Sequence, residues 1–157
     1  MELFFEAYLS RLSELYKDVE GAITGLPQEA LDWVPGPDMN SLAVLVVHTC
    51  GAQRYWLGDV VGRTPSARNR EAEFRVQSLD AGVLLDKIRD TLADAQAVLE
   101  KLGLQNLPEI RVVPRNDRQV TVAWALSHVL AHTALHVGHI ELTRQLWDAS
   151  HKRTTSR

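Results

Sequence analysis

An all-α four-helix bundle is the fold that this 157-residue sequence predicts, and three observations carry the prediction. Four long stretches repeat apolar residues every three or four positions, the period of an amphipathic helix. Every proline falls between those stretches, where it can stop a helix without breaking one. Only one short segment, before the last stretch, reads better as a strand. Four such helices around one shared core is the economical packing solution.

The first helix should span about residues 3 to 24. Phe4, Tyr8, Leu12, Leu15, Val19 and Ile23 recur at helical spacing, with charged residues between them and Gly25 placed as a terminator. Leu26 to Trp33 offers at most one further turn before Pro35-Gly36-Pro37 makes a loop. Asn40-Ser41 supplies a capping side chain for a second helix running to about Val61, with Gly62 ending it. This helix carries His48 with Val44, Leu45, Ala52, Tyr55 and Trp56 on one side, and Leu42, Val46, Cys50 and Leu57 on the other. A helix apolar nearly all round is either central or packed on a second molecule, a hint of a homodimer.

Arg63 to Gln77 is polar and reads as a linking loop, its arginines Arg63, Arg68 and Arg70 forming a solvated surface. Ser78 is placed to cap a third helix through about Leu102, along which Leu84, Ile88, Leu92, Ala95 and Leu99 form a stripe. Between residues 104 and 120 lies Ile110-Arg-Val-Val113, the candidate for a short strand or hairpin. Thr121 then caps the fourth helix, to about Ser150. The expected organisation is one domain over residues 1–150 and a polar, disordered tail over 151–157.

Composition narrows the function. A formal charge of −3 and a pI near 6.1 leave no electrostatic footprint for nucleic acid. No apolar run approaches the length of a membrane span. The first residues lack the basic region of a signal peptide. The single cysteine, Cys50, rules out an internal disulfide and suits a cytoplasmic setting.

The chemistry concentrates in His128-Val-Leu-Ala-His132-Thr-Ala-Leu-His136-Val-Gly-His139. Spacings of four, four and three place all four imidazoles on one helical face, within roughly 40° of their mean direction. Apolar residues flank that face on both sides: Val122, Val129, Ile140 and Trp147 on one, Trp124, Leu135 and Leu142 on the other. The histidines are therefore expected along the middle of the buried stripe, where unpaired polar rings are costly. His132 and His136, one turn apart, can converge on one ion. His48, on the core-facing side of the second helix, can complete a set of three. A pair at this spacing is often an accidental couple, and a lone core histidine is usually just hydrogen-bonded. The combination carries the argument.

Three neutral imidazoles leave a coordination position open, the pattern of catalytic rather than structural zinc. Cys50 points away from His48, which also argues against a structural site. A divalent ion is therefore the expected cofactor, zinc or nickel first among the metals that imidazole suits. His139 and Tyr55 are candidates for the pocket wall or for hydrogen-bonding partners of the ligands. His128 could extend the site or sit at the core edge. No phosphate loop, protease zinc pair or nucleophile elbow occurs.

Taken together these residues resemble the DinB/YfiT-like superfamily of metal-dependent proteins. Gly25-Leu-Pro-Gln-Glu-Ala-Leu-Asp-Trp-Val-Pro35, Asn40-Ser-Leu-Ala-Val-Leu-Val-Val-His48 with Arg54-Tyr-Trp-Leu-Gly58, and His132-x-x-x-His136-x-Gly-x-Ile140 are similar to its segments, and the likeness covers nearly the whole chain. The resemblance implies a homodimeric four-helix bundle with metal on His48, His132 and His136. At position 139 the family commonly has Gln where this chain has His. It further implies thiol-dependent S-transferase or isomerase activity in some members, with bacillithiol, mycothiol or glutathione. A metal-dependent enzyme activating a low-molecular-weight thiol toward a small-molecule substrate is the leading expectation. A non-catalytic metal- or ligand-binding stress-response module and a metal-dependent hydrolase are the alternatives.

Overall fold

The computed structural model describes residues 1–152. Its helices in chain order are α1 (Leu3–Ile23), α2 (Gln28–Asp32), α3 (Leu42–Arg54), α4 (Arg70–Glu73), α5 (Ala81–Leu99) and α6 (Val122–Lys152). The hairpin anticipated before the last helix is present as β1 (Ile110–Val112) and β2 (Gln119–Thr121), antiparallel, with Arg111 opposite Val120.

The four long helices form a square. α1 and α3 each pack on both α5 and α6, so the first and second long helices lie diagonally across from one another. The connection from residue 24 to 41 spans that diagonal, with α2 resting on α3. Tyr8 closes one corner, its hydroxyl donating to the Leu126 carbonyl at 3.0 Å. Burial along α1 falls on Phe5, Tyr8, Leu12, Leu15, Tyr16, Val19 and Ile23; Phe5 rather than Phe4 faces the core.

α3 is the central helix. Every residue from Ser41 to Cys50 is buried within this one chain, between α5, α6, α2 and α4. Its all-round apolarity is thus accounted for without a second molecule and carries no argument for a dimer. Ser41 caps it as anticipated, accepting the Val44 N–H at 3.3 Å. The α-winding stops at Arg54, however, and Tyr55–Gly62 continues as a π-helix ended by Arg63 in the left-handed conformation, φ 55°. A wider turn shifts the register of everything beyond it, which α-periodicity alone cannot foresee.

Three local expectations need correcting. Asp80, not Ser78, caps α5, accepting the Val83 N–H at 2.9 Å, because Ser78 sits at φ 61° with its N–H on the Asp32 carboxylate. The stretch 63–77 is not merely a linker: Asn69 caps α4, accepting the Ala72 N–H. Finally, α6 runs past Ser150, and the His151 ring stacks on Trp147 with centroids 3.4 Å apart. The rest of the expected tail, residues 153–157, lies outside the described residues. No helix among the described residues is long and apolar enough to cross a membrane.

Candidate metal centre

α3 and α6 are adjacent, and their histidines meet. Ring centroids are 5.4 Å apart for His48 and His132, 5.0 Å for His48 and His136, and 4.4 Å for His132 and His136. One nitrogen from each ring lies within 4.8 Å of the others. Imidazole nitrogens around a tetrahedral divalent ion stand about 3.4 Å apart. Small rotations of the rings, roughly an ångström at the nitrogens, would close the set on an ion, so the three residues could hold one.

The histidine row does not run down the middle of the buried stripe. That stripe is Val122, Ala125, Leu126, Val129, Thr133, Val137, Ile140, Thr143 and Trp147. His128, His132 and His136 are half-buried on its margin, and His139 is exposed. The reason is packing: α1, α3 and the π-helical turn Tyr55–Gly62 pack on α6, and among the described residues no other helix packs broadly on its remaining side. Trp124, Leu135, Leu142 and Leu146 are consequently exposed, at 36%, 58%, 49% and 38%. A marginal position suits a reactive centre, since the same rings are reachable from outside.

Of the remaining candidates, His139 places Nδ1 3.4 Å from His136 Nδ1 and lines a cavity of about 190 Å³ with Met39, Leu45 and Leu142. His128 stacks on Trp124, centroids 5.0 Å apart and planes at 9°, and meets Trp56 edge-on at 4.6 Å. Those aromatic contacts hold His128 beside His132 without bringing it into the set of three. Tyr55 does not touch the imidazoles; its hydroxyl accepts the Arg115 backbone N–H at 3.2 Å.

The residue that sequence reasoning missed is Glu73, at the end of α4. Its Oε2 lies 3.0 Å from His48 Nδ1, and its two oxygens accept Arg68 Nε at 2.6 Å and Nη2 at 2.8 Å. Arg68, expected on a solvated surface, has only 11% of its side chain exposed and Glu73 only 7%. A carboxylate on Nδ1 takes that nitrogen's proton as its hydrogen bond and leaves Nε2 with a free lone pair, the form a metal needs. Gly51, one turn after His48, makes the arrangement possible. A Cβ there would lie 2.8 Å from Glu73 Cδ, closer than such contacts occur. Asn69 followed by Glu71 and Glu73 was the available signal, a capping residue with acids in the first turn.

Electrostatics favours neutral ligands. Burial, with the nearby His136, His48, His128 and Arg68, pulls the His132 pKa down to about 3; burial, His48 and His139 pull that of His136 down to about 4. Burial pushes the Glu73 carboxyl upward, but hydrogen bonds from Arg68 and His48 and the Arg68 charge outweigh it and hold it below the ordinary range. Cys50 is inert by comparison, its thiol pushed up to about 11 by burial.

A pH dependence follows. In chelator-treated protein the unfolded chain binds protons at His132 and His136 as pH falls below about 6.5, while the folded chain resists until about 4 and about 3. Stability should therefore fall with acid across that window, and the depressed Glu73 acts in the same sense. Urea midpoints measured at pH 7.5 and 5 should differ less in His132→Ala than in the parent. An equal loss in both would mean that the depression of His132 is absent.

Comparison with known proteins supplies the remaining findings. A family model described as Mycothiol-S-transferase matches residues 7–149. A comparison with curated proteins gives no match. Among solved structures, a conserved protein from Enterococcus faecalis superposes with TM-score 0.79 at 14% identity, covering 95% of this chain and 99% of that one. YfiT from Bacillus subtilis, described as a probable metal-dependent hydrolase with an unusual four-helix bundle topology, superposes with TM-score 0.71 at 16% identity, covering 92% of this chain and 89% of YfiT. At such identities the two structures establish the fold and leave activity to the site.

Proposed function

This chain belongs to the mycothiol S-transferase family, among the DinB/YfiT-like proteins, and from that premise we propose that it is a metal-dependent S-transferase using a low-molecular-weight thiol. The observation that carries the reading is the convergence of His48, His132 and His136 on the half-open flank of α6, with Glu73 fixing the His48 tautomer. Those three residues would hold the ion, zinc or nickel by ligand chemistry. A divalent cation there supplies positive charge that favours thiolate over thiol at neutral pH.

The chain's own residues do the rest. Glu73 keeps the His48 Nε2 lone pair directed at the centre, and burial keeps His132 and His136 unprotonated. Phe74, its ring 4.7 Å from His48, covers part of that imidazole. His139 and the cavity it lines stand where an acceptor would approach. In the transfer, the thiol gives its proton to solvent or a base and its sulfur bonds an electrophilic carbon. A leaving group departs with the displaced electron pair, or, in addition to a double bond, the neighbouring carbon takes up a proton.

Hydrolysis ranks second because it needs a general base, and Glu73, the carboxylate that reaches His48, is already held by Arg68. The test is conjugation of a model electrophile by metal-loaded protein with mycothiol, bacillithiol or glutathione, beside ester cleavage without thiol. Thiol-dependent conjugation well above the uncatalysed rate is expected. Ester cleavage with no thiol-dependent product would replace the transferase by a hydrolase; loss of stability on chelation with neither activity would favour a binding module. The exposed apolar residues Leu135, Leu142 and Leu146 support a homodimer through α6. Light scattering that returned the monomer mass would remove that part of the reading.

A further inference from the structure

Next to the histidine set lies a cavity of about 260 Å³ lined by Tyr55, Asp59, Arg68, Arg70, Pro114 and Arg115. Three of its six walls are guanidinium groups and one is a carboxylate, in a chain whose formal charge is −3. The excess is built in rather than incidental. Asp59 offsets one of the three positive charges, and its Oδ1 is turned to the Ser66 N–H, which it accepts. Arg68 is committed to Glu73. Arg70 and Arg115 form no ion pair among the described residues, although Glu71, Glu73 and Asp117 lie close by in sequence.

The positions of these arginines are set by the fold. Arg70 lies over the Phe74 ring, 4.9 Å from its centroid, and that ring packs on His48. Arg115 belongs to the turn between β1 and β2, which is pinned over the cavity by its own N–H on the Tyr55 hydroxyl. Arg68 stands 5.7 Å over the same Tyr55 ring while its Nη2 is 3.5 Å from His48 Nδ1. Arg68 thus lines the cavity and meets His48, and Phe74 links Arg70 to the same imidazole, so a small molecule in the cavity lies beside the histidine set.

The geometry points to a carboxylate-binding subsite, formed by Arg70 and Arg115 with Arg68 behind them, that selects acidic small-molecule substrates for the adjacent centre. Guanidinium forks match a planar carboxylate with two parallel hydrogen bonds, which fixes orientation as well as charge. On the other side of the histidines, the cavity lined by Met39, Leu45 and Leu142 has no cationic wall. A substrate lying across the centre thus meets guanidinium groups at one end and, at the other, a mixed wall of Asp38, Asn40, His139 and apolar side chains without Arg or Lys. The inference rests on the transferase reading only for its kinetic arm.

Succinate binding, followed by calorimetry at low ionic strength with the parent and the arginine variant loaded with zinc and His132→Ala metal-free, tests the subsite directly. Binding is expected in the parent and in His132→Ala, and should weaken by about tenfold or more in the double variant Arg70→Gln, Arg115→Gln. No binding to the parent, equal binding in the double variant, or loss in His132→Ala would each overturn the subsite, the last because it would put the carboxylate on the metal. The kinetic arm compares N-(carboxymethyl)maleimide with its methyl ester, and separately 3-mercaptopropionate with its methyl ester. The pair in which the parent prefers the acid, and the double variant does not, identifies which substrate carries the charge. Turnover without preference in either pair overturns the selection. Absence of all turnover would remove the transferase reading, while succinate binding would still decide the subsite.

Discussion

His132→Ala should lose stoichiometric metal while keeping the fold. Binding energies of about 10–16 kcal/mol for four-ligand zinc sites correspond to about 3 kcal/mol per ligand, so removing one of three imidazoles weakens the site on the order of a hundredfold. The two that remain would come from different helices, His48 on α3 and His136 on α6, with no chelating pair on one helix to pre-order them. Folding should survive because His132 is half-buried on the margin of α6, not in the stripe of Val129, Thr133 and Ile140. Elemental analysis after exhaustive dialysis should show near-stoichiometric zinc or nickel in the parent and little in the variant. Chelator should lower the melting temperature of the parent and leave that of the variant almost unchanged. One tightly held equivalent in His132→Ala would end the three-histidine reading.

The second large effect belongs to residues that touch no ion. Glu73→Gln preserves shape but removes the charge that Arg68 and His48 share, and loss of such an outer partner typically weakens metal binding by about 10–100-fold. Glu73→Ala should cost more in stability, about 3–5 kcal/mol, because it leaves the guanidinium of Arg68 buried and unpaired. Gly51→Ala should weaken metal binding similarly from the opposite side, since the added methyl needs the volume that the Glu73 carboxylate fills. Glu71→Gln is the control: among the described residues Glu71 pairs with Arg75 at the surface, a contact worth about 0–1 kcal/mol. Competition with a chromophoric chelator gives the metal affinities and urea melts give the stabilities. Parental affinity in Glu73→Gln would make the Arg68–Glu73–His48 chain a structural brace with no influence on the site.

Much of this was legible in the residues. Helical spacing located α1, α3, α5 and α6, Ser41 announced its own cap, and Ile110–Val113 announced the hairpin. His132 and His136 are one turn apart on one helix, so local geometry brought them together before any packing was considered. His48 could be named because it faces the core that α6 also faces. Glu73 could not. It reaches His48 across 25 residues from a stretch with no apolar periodicity, and only the seat beside Gly51 shows why it turns inward. The same limit explains Arg68, whose polarity reads as surface until its partner is known.

What the chain determined by itself was periodic and local: which segments wind into helices, and which imidazoles share a face. The tertiary structure decided which side of each face is covered. Burial belongs to pairs of elements, not to one. The histidine row of α6 lies at an edge because α1, α3 and the π-helical turn cover the neighbouring stripe and, among the described residues, no other helix packs broadly on the far side. That open flank makes the rings reachable, while contacts with Phe74, Tyr55 and Glu73 bring Arg70, Arg115 and Arg68 from two distant segments to one cavity, and no pattern within a single segment could have foretold either.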